Sequence, residues 1–460
     1  MIDQPFGDTL PRSTLPAPPK TGGLPLVGSL PALVRRSFDF LLAARARYGD
    51  IYTLDLGFFK LVMLNHPRHI EQVLVHNSRN YLRSGATYDA TRVFLGNGLA
   101  MSEGEFWLRQ RRMMQPHFHR KRLTALTSLM AATIDAELAA WAPAAQAGAA
   151  FNLHPAFNRI TMSVIVRALF GTALSHHEVD ELSAEMAFAV DKILPSAITS
   201  ALPNWLPIPG RQHLMHVRQK IDTALYDVIG RVRQGGGDAT LMAMLLDMVD
   251  AETGAQMTDQ QLRDEAITLV FAGYETTSLT LSWACDLLTR HPQVLAKLQA
   301  EVDTVLGGRT PTFADLPALV YTSMVIQETM RLRPPAWLLT RSAAAADEID
   351  GYAIPAGALI GMSFYAIHRH PDFWDDPERF DPERFTPERV AGRHKFAWLA
   401  FGAGQHQCIG RDFALMEAQL LLAMLVQRYR ITATGHTATP KLTATLQPKD
   451  GVWVTLNPTQ

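Results

Sequence analysis

Apolar residues recur at the spacing of an α-helix over most of the chain. A period of about three to four residues indicates amphipathic or buried helices. Alternating patterns at 51–56 and 60–64, joined by a turn at Gly57, predict a β-hairpin, and short β regions are expected near 353–357 and between 441 and 456. The pattern therefore predicts a mainly α fold with minor β. The predicted helices cover 123–141, 164–169, 217–232, 241–249, 260–288, 293–306 and 413–429.

No break in this pattern marks a domain boundary. Length alone suggests roughly three domains of about 150 residues, yet the 460-residue chain shows no long repeat and no interdomain linker. Residues 1–23 are rich in proline and end in a Pro-Pro-Lys-Thr-Gly-Gly run, which is typical of an extended segment. We therefore expect an extended arm over 1–23, followed by a single large domain over 24–460.

Two apolar runs resemble membrane helices in composition. The run 266–285 has about the 20 residues that a spanning helix needs, but Glu275 lies in its middle, where a charge is costly in a bilayer. The run 413–426 is shorter and contains Glu417. Residues 1–19 lack the apolar centre of a signal peptide. We expect buried helices, no membrane span and a cytoplasmic location.

Composition narrows the class of protein further. The chain has 43 Lys+Arg against 44 Asp+Glu, a net charge of −1, which excludes the global basicity of a nucleic-acid-coating protein but allows a local basic patch. With 47% hydrophobic residues it can form a substantial core. Its two cysteines, Cys285 and Cys408, exclude a disulfide framework and favour a reducing compartment.

The glycine-rich segment 401–410 contains Cys408 and is followed at once by a helical pattern. A cysteine at a helix start meets unpaired N–H groups and the positive end of the helix dipole, which favours the thiolate. Such a thiolate suits a metal that takes one sulfur ligand, with haem iron as the leading case. A small buried cysteine is the simplest alternative. A structural zinc site lacks paired ligands, and a dinucleotide loop lacks its third glycine.

The segment Phe-Gly-Ala-Gly-Gln-His-Gln-Cys-Ile-Gly at 401–410 resembles the Phe-x-x-Gly-x-(Arg/His)-x-Cys-x-Gly signature of cytochrome P-450, the haem-thiolate monooxygenases. The resemblance implies haem b (iron protoporphyrin IX), with Cys408 as the axial iron ligand. It also implies that Phe401 packs beside the sulfur, that His406 faces a haem propionate and that Gly410 belongs to the cofactor site.

A second motif lies inside the long apolar helix, at Ala-Gly-Tyr-Glu-Thr-Thr, 272–277. Glycine there removes side-chain bulk and is expected to let a ligand approach the backbone, and a neighbouring acid and alcohol can relay protons. Taken alone, a solvent-facing Glu is the simpler interpretation. The motif resembles the family's distal segment, which implies that Ala272 borders the haem, Thr276 hydrogen-bonds dioxygen and Glu275 helps deliver protons. Tyr274 receives no role.

Glu328 and Arg331 lie one helical turn apart, a spacing typical of surface ion pairs. In the family the same Glu-x-x-Arg pair is buried and joined by the arginine of a Pro-Glu-Arg-Phe loop. Pro-Glu-Arg occurs three times between 377 and 389, and the full family pattern selects Arg384. The resemblance implies that these three residues support the haem and do no chemistry.

Trp107 and Arg111 match a Trp-x-x-x-Arg motif, and Arg341 follows a Pro-Pro pair. The resemblance implies that these residues face the haem propionates, although an amphipathic basic helix is the alternative for the first two. Arg109, Arg112 and Arg411 are solvated surface residues or a basic patch for an acidic electron donor.

The implied function is insertion of one oxygen atom from dioxygen into a lipophilic small molecule such as a terpenoid, fatty acid or polyketide. No flavin or nicotinamide module fits in this length, so electrons are expected from separate proteins, a ferredoxin and its NAD(P)H-dependent ferredoxin reductase. The protein is expected to be a monomer. A peroxide-driven haem-thiolate enzyme and a haem sensor or carrier are the alternatives. The region 196–205 is the expected lid. By analogy, Ala272 also borders the substrate pocket, together with Tyr88, Phe94, Trp337, Leu338 and Leu339.

Overall fold

The computed structural model describes residues 15–57, 59–118, 120–199, 211–235, 240–250 and 252–459. Its helices are α1 Leu30–Tyr48, α2 Pro67–Glu71, α3 Ala86–Leu95, α4 Gly104–Met114, α5 Arg120–Ala139, α6 Ala142–Ala147, α7 Leu153–Phe170, α8 His176–Thr199, α9 Arg211–Arg233, α10 Leu241–Asp247, α11 Asp259–Arg290, α12 Pro292–Leu306, α13 Val320–Leu332, α14 Phe364–Ile367, α15 Pro387–Ala391 and α16 Arg411–Arg428. Its strands are β1 Ile51–Asp55, β2 Lys60–Leu64, β3 Tyr81–Leu82, β4 Ala150–Asn152, β5 Leu338–Ala343, β6 Asp347–Ile349, β7 Tyr352–Ile354, β8 Leu359–Ser363, β9 Tyr429–Ala433, β10 Pro440–Leu442, β11 Leu446–Pro448 and β12 Trp453–Pro458.

Helices form at all seven predicted positions, but the apolar period in the sequence predicts some of these helices to be shorter than they are. Helix α7 begins at Leu153 rather than at Val164. The pattern does not predict α1 or α8. In α1 the backbone at Ser37 has φ 44° and ψ −115°, so a kink interrupts the apolar period. Helix α8 contains Pro195, a residue that argues against a helix interior.

A five-stranded sheet has the order β1-β2-β8-β5-β3, in which β2 and β8 are parallel and the other pairs antiparallel. The predicted hairpin forms β1 and β2, with Ile51 opposite Leu64. The region 353–357 supplies only the end of β7, whereas 441–456 contributes to β10, β11 and β12. Strand β12 joins β4 and β9 in a three-stranded sheet. Strands β5 and β8 escape prediction because short buried strands do not alternate.

The described part of the predicted arm runs beside the large sheet. The backbone N–H of Thr53 donates to the carbonyl of Pro19 at 2.8 Å, and that of Thr21 donates to the carbonyl of Thr53 at 3.0 Å. Residues 1–14 of the arm lie outside the described residues.

Helix α11 is the central element of the core. A capping box between Thr258 and Gln261 fixes its start, and it packs against α7, α13 and α16. The main hydrophobic cluster extends from Leu33 to Leu456, so distant parts of the chain share one core. The prediction of a single, mainly α domain is confirmed.

Among the described residues, the segment Leu123–Ala147 is long and apolar enough to cross a membrane by length and composition. Its side chains Met130, Ile134 and Leu138 are fully buried in the core. A core helix passes the same test, so this segment is weak evidence for a span. The run 266–285, predicted to be a buried helix, lies within α11.

The pair Glu328–Arg331 on α13 is fully buried. Arg331 donates from Nε to Oε2 of Glu328 at 2.7 Å and from Nη2 to Oε1 at 2.8 Å. Its Nη1 donates to the carbonyls of Pro377 at 2.7 Å and His368 at 2.9 Å. The guanidinium is therefore neutralised by one acid and also holds a distant loop.

Arg384 is the nearest of the three Pro-Glu-Arg arginines to this pair. Its Nε lies 3.5 Å from Oε1 of Glu328, and its Nη2 donates to the carbonyl of Asp376 at 2.8 Å. Arg389 instead pairs with Asp381 at 2.9 Å. The structure thus places Glu328, Arg331 and Arg384 in one cluster.

Two acids near the start of α11 hold the segment 94–101, which connects α3 to α4. Oδ2 of Asp264 accepts the backbone N–H of Asn97 at 2.8 Å, and Oε2 of Glu265 accepts that of Leu99 at 3.0 Å. These bonds fix an irregular segment against the central helix, because its backbone donors have no partner in a helix or strand.

Glu265 is fully buried, and its Oε1 has no hydrogen-bond partner among the described residues. Burial raises the pKa of this carboxyl to about 8, with the negative charge of Asp264 adding to the effect and the N–H of Leu99 opposing it. The carboxyl is therefore protonated in the folded protein at neutral pH.

We predict that Glu265→Gln stabilises the protein increasingly as pH rises. The folded chain keeps this proton up to about pH 8, whereas the unfolded chain releases it near the ordinary value of 4.5. Wild-type stability is therefore lost as pH rises between these values, and glutamine avoids the loss. The thermal unfolding midpoint of the variant should exceed that of the wild type by a margin that grows over this range. A difference in the unfolding midpoint that does not change with pH contradicts the prediction. Glu348→Gln, at an exposed position, is the control.

Candidate functional site

The loop around Cys408 is closed by its own backbone. The N–H of Cys408 donates to the carbonyl of Phe401 at 2.9 Å, immediately before α16 begins. Gly404 has φ +70°, and a Cβ there would meet the carbonyl oxygen of Leu74 at 2.0 Å. Only glycine fits at this position, because both the conformation and the close contact exclude a side chain.

The thiol of Cys408 has a mixed electrostatic environment. Burial raises its pKa, while the backbone N–H of Gly410 and the charges of Arg111 and Arg411 oppose the rise. The helix start and the two cations act in the direction expected from the sequence, and Cys408 is exposed, so a thiolate at this position stays a prediction. A coordinated metal ion would supply the missing stabilisation, because binding deprotonates a thiol.

His368, which the sequence analysis did not single out, joins the buried ion pair to this loop. Its Nε2 accepts the backbone N–H of Leu399 at 2.8 Å, and its Nδ1 lies 3.2 Å from the carbonyl of Arg331. Burial and the nearby cations lower its pKa to about 3, so the neutral ring donates from Nδ1. No motif marks this residue; a histidine inside an apolar run is the only signal.

Two buried arginines form no ion pair with any acid in the part of the chain that the structure describes. Arg83 donates to the carbonyl of Leu99 at 2.8 Å, and Arg341 donates to the hydroxyl of Tyr88 and the carbonyl of Thr340, both at 2.7 Å. Burial and the charge of Arg341 lower the pKa of Arg83 to about 10. Buried charges need counter-charges, so this pair fits an anionic ligand. Sequence reasoning missed Arg83, because it belongs to no motif.

His406 packs between an acid and an aromatic ring. Its Nε2 lies 3.0 Å from Oε1 of Glu103, and its ring centroid is 4.0 Å from that of Trp107. Burial lowers the pKa of His406 despite Glu103. The neutral ring therefore donates from Nε2, and its buried Nδ1 has no partner among the described residues. A bound carboxylate would favour the protonation of Nδ1.

The remaining predicted cations differ in their surroundings. Arg111 donates from Nη1 to the carbonyl of Gln407 at 3.0 Å, so it supports the Cys408 loop. Arg112 pairs with Asp250 at 2.8 Å and with Glu252. The expected basic patch is corrected accordingly, because the charge of Arg112 is neutralised within the chain.

These residues fit the haem that the resemblance implies. Cys408 would supply the single sulfur ligand, and Arg83 and Arg341, which form no ion pair among the described residues, match the two propionate carboxylates of a haem. The unpartnered Nδ1 of His406 is a further polar group for that edge. Neither a structural zinc nor a simple buried cysteine accounts for this excess of buried positive charge.

One turn of α11, at the motif 272–277, is partly exposed to solvent, whereas the turns on both sides of it are buried. Ala272 is its exposed residue. Thr276 is half-buried and donates from Oγ1 to the carbonyl of Ala272 at 2.8 Å. Gly273 does not face a ligand as expected. A Cβ there would lie 2.9 Å from Cγ1 of Ile165, so glycine allows α7 to pack closely against α11.

Glu275 is buried and held by the end of the chain. Its Oε1 accepts hydrogen bonds from Oγ1 of Thr445 at 2.9 Å and from Nε2 of Gln447 at 3.0 Å. Burial raises the pKa of this carboxyl, and the two hydrogen bonds oppose the rise. Thr445 and Gln447 carry no sequence signal, because their partner is distant in the chain.

The predicted pocket residues lie in different surroundings. Phe94 and Trp337 are buried in the main core, whereas Leu338 and Leu339 are half-buried at the start of β5. Tyr88 is buried and holds Arg341 through its hydroxyl. Of the predicted lid, residues 196–199 end α8 and 200–205 lie outside the described residues. A pocket role for these residues stays a prediction.

We predict that Arg83→Gln weakens haem binding, because one buried positive charge beside the carboxylates is lost. A charged hydrogen bond of this kind contributes about 2 kcal/mol, which corresponds to a rise of roughly thirtyfold in the haem dissociation rate. Transfer of haem to a scavenging globin measures that rate. Arg79→Gln, at an exposed arginine nearby, is the control. Equal rates for the two variants would contradict the assignment.

The cytochrome P-450 family model matches residues 16–455. The chain is 36% identical over 412 residues to cyclooctat-9-en-7-ol 5-monooxygenase of Streptomyces melanosporofaciens, covering 89% of this chain and 88% of the relative. It is 33% identical to pentalenene oxygenase of Streptomyces avermitilis, covering 89% and 90% of the two chains.

A crystal structure of a cytochrome P-450 haem domain has the same fold, with a TM-score of 0.88 at 25% identity over 97% of this chain and 98% of that one. The chain belongs to the cytochrome P-450 family of haem-binding monooxygenases.

Proposed function

We propose that this protein binds haem b through Cys408 and uses dioxygen to oxidise a lipophilic, terpenoid-like molecule. The observation that carries the proposal is the cysteine loop, which is closed by its own backbone and whose His406 senses the charges of two buried arginines, Arg83 and Arg341, that form no ion pair among the described residues. The names of two relatives denote an unsaturated cyclic alcohol and pentalenene, an unsaturated hydrocarbon. Both names denote alkenes, as terpenes are, and neither denotes a carboxylic acid, which supports a terpenoid over a fatty acid.

When bound, the haem supplies the iron at which dioxygen is activated, with electron donation from its sulfur ligand. The chain orients the group. Arg83, Arg341 and His406 would hold its carboxylates, and Arg111 fixes the loop that carries Cys408. Trp107 packs over His406 and excludes water from that edge.

Thr276 and Glu275, both on α11, would hold and transfer protons. The Thr276 hydroxyl directs its own proton at the carbonyl of Ala272, so its oxygen lone pairs remain for a ligand. It therefore acts first as a hydrogen-bond acceptor. Burial raises the pKa of Glu275, so its carboxyl is the group that we propose to hold a proton in reserve.

Electrons come from separate proteins, a ferredoxin and its NAD(P)H-dependent reductase. Arg411 supports this part of the proposal, since it is exposed and its guanidinium lies 6.0 Å from the ring of Phe401, beside the cysteine loop. An exposed cation there steers an acidic partner towards the haem. Both cysteines are free, which is consistent with a reducing cytoplasm.

Cys408→Ser should abolish the thiolate-type absorption of the reduced carbon monoxide complex, because a serine oxygen is a hard ligand that does not replace a soft thiolate. Cys285→Ala is the matched control, since Cys285 is buried within α11. Its spectrum should equal that of the wild type. An unchanged spectrum in Cys408→Ser would refute the haem-thiolate site.

Thr276→Ala should divert consumed dioxygen to hydrogen peroxide, raising the peroxide share roughly tenfold, the effect of one hydrogen bond. Thr280→Ala is a matched control because its hydroxyl also donates one turn back, to the carbonyl of Thr276. The probe compound is the terpene, fatty acid or polyketide that shifts the haem spin state most. Fully coupled product formation in Thr276→Ala argues against the role. Turnover with peroxide alone favours a peroxide-driven enzyme.

A further inference from the structure

The hairpin formed by β10 and β11 is anchored by two buried tryptophans. Nε1 of Trp283, on α11, donates to the carbonyl of Leu446 at 2.8 Å, and Nε1 of Trp337 donates to that of Thr443 at 2.9 Å. The backbone N–H of Leu446 donates to the carbonyl of Pro335 at 2.9 Å. The hairpin turn is therefore fixed in position relative to α11.

The same hairpin provides both donors to Glu275. The hydroxyl of Thr445 and the amide of Gln447 lie on either side of Leu446, and both bond to Oε1 at 2.9 and 3.0 Å. An oxygen that accepts two hydrogen bonds is the carbonyl oxygen of a neutral acid, because its lone pairs are occupied. The proton is thereby assigned to Oε2.

The charges around Glu275 are consistent with this assignment. Lys441, on β10, pairs with Asp191, on α8, at 3.1 Å. The negative charge of Asp191 adds to burial in raising the pKa of Glu275, and the ion pair with Lys441 lessens that effect. Tyr274, the neighbouring residue on α11, is also fully buried.

We propose that Thr445 and Gln447 are positioning residues that hold Glu275 with its transferable proton on Oε2. The inference rests on the proposed function, in which Glu275 supplies protons for dioxygen reduction. Glu275 gives up the Oε2 proton, the two bonds to Oε1 stabilise the carboxylate that forms, and a proton from solvent restores the acid. The electrons come from the redox partners and not from this step.

Infrared spectroscopy of the holoenzyme tests the geometry without turnover. The protonated carboxyl band of Glu275 is identified by its loss in Glu275→Gln. In Thr445→Val and Gln447→Leu this band should move to higher wavenumber, because the carbonyl loses a donor. Thr445→Ser should restore its position. A band that does not move in either variant, or no band lost in Glu275→Gln, overturns the proposal.

Thr443→Val is the matched control. Thr443 lies in the same hairpin and is as buried as Thr445, at 7% exposed each, but its hydroxyl donates to the carbonyl of Thr445 instead of to Glu275. The Glu275 band should stay in place in this variant. If the Glu275 band shifts in Thr443→Val as much as in Thr445→Val, the shift comes from distortion of the hairpin and not from the lost hydrogen bond. That result would count against the proposal.

Coupling measurements separate this proposal from the function on which it rests. With the probe compound bound, Thr445→Val should raise the peroxide share roughly tenfold, as expected for one hydrogen bond. The double variant Thr445→Val with Glu275→Gln should release no larger a share of dioxygen as peroxide than Glu275→Gln alone, because both changes act on one carboxyl. If Glu275→Gln leaves the peroxide share unchanged, the proposed role of Glu275 fails. If Glu275→Gln raises it and Thr445→Val does not, only the positioning proposal fails.

Discussion

The position of the Cys408 loop depends on a buried pair of charges on α13. Glu328 and Arg331 are both fully buried, and a charge in the core is tolerated only when its partners are complete. Arg331 meets this requirement with two bonds to the acid and further bonds to loop carbonyls. Those carbonyls must stay in place, or the guanidinium loses its partners. The requirement thus fixes the loop that leads towards Cys408.

His368 carries this constraint to the cysteine loop. Its carbonyl accepts from Arg331, and its ring links the carbonyl of Arg331 to the N–H of Leu399. Because the ring is neutral and fully buried, each nitrogen has a fixed role as donor or acceptor. Leu399 lies just before Phe401, whose carbonyl closes the loop with Cys408. The backbone of Cys408 is therefore held by a chain of bonds that begins at the buried residues Glu328, Arg331 and His368.

The sequence was enough to predict the features that follow a local rule. The helical period identified most of α11, and the motif around 401–410 identified the loop of Cys408. The full loop pattern chose Arg384, which lies in the Glu328–Arg331 cluster. Single residues that act through tertiary contacts carry no such pattern. Arg83 reaches its role only because β3 and β5 pair and bring it near Arg341, and Gly273 serves helix packing that no local signal describes.

The hairpin of β10 and β11 contacts both the predicted substrate pocket and the acid of the proton relay. Its Thr443 carbonyl holds Trp337, while Thr445 and Gln447 hold Glu275. Under the proposed function, the choice of substrate and the share of dioxygen lost as peroxide are therefore not independent in this chain. A mutation that reshapes the hairpin to admit a new substrate also changes the support of Glu275, so laboratory evolution at this turn should select for both properties at once.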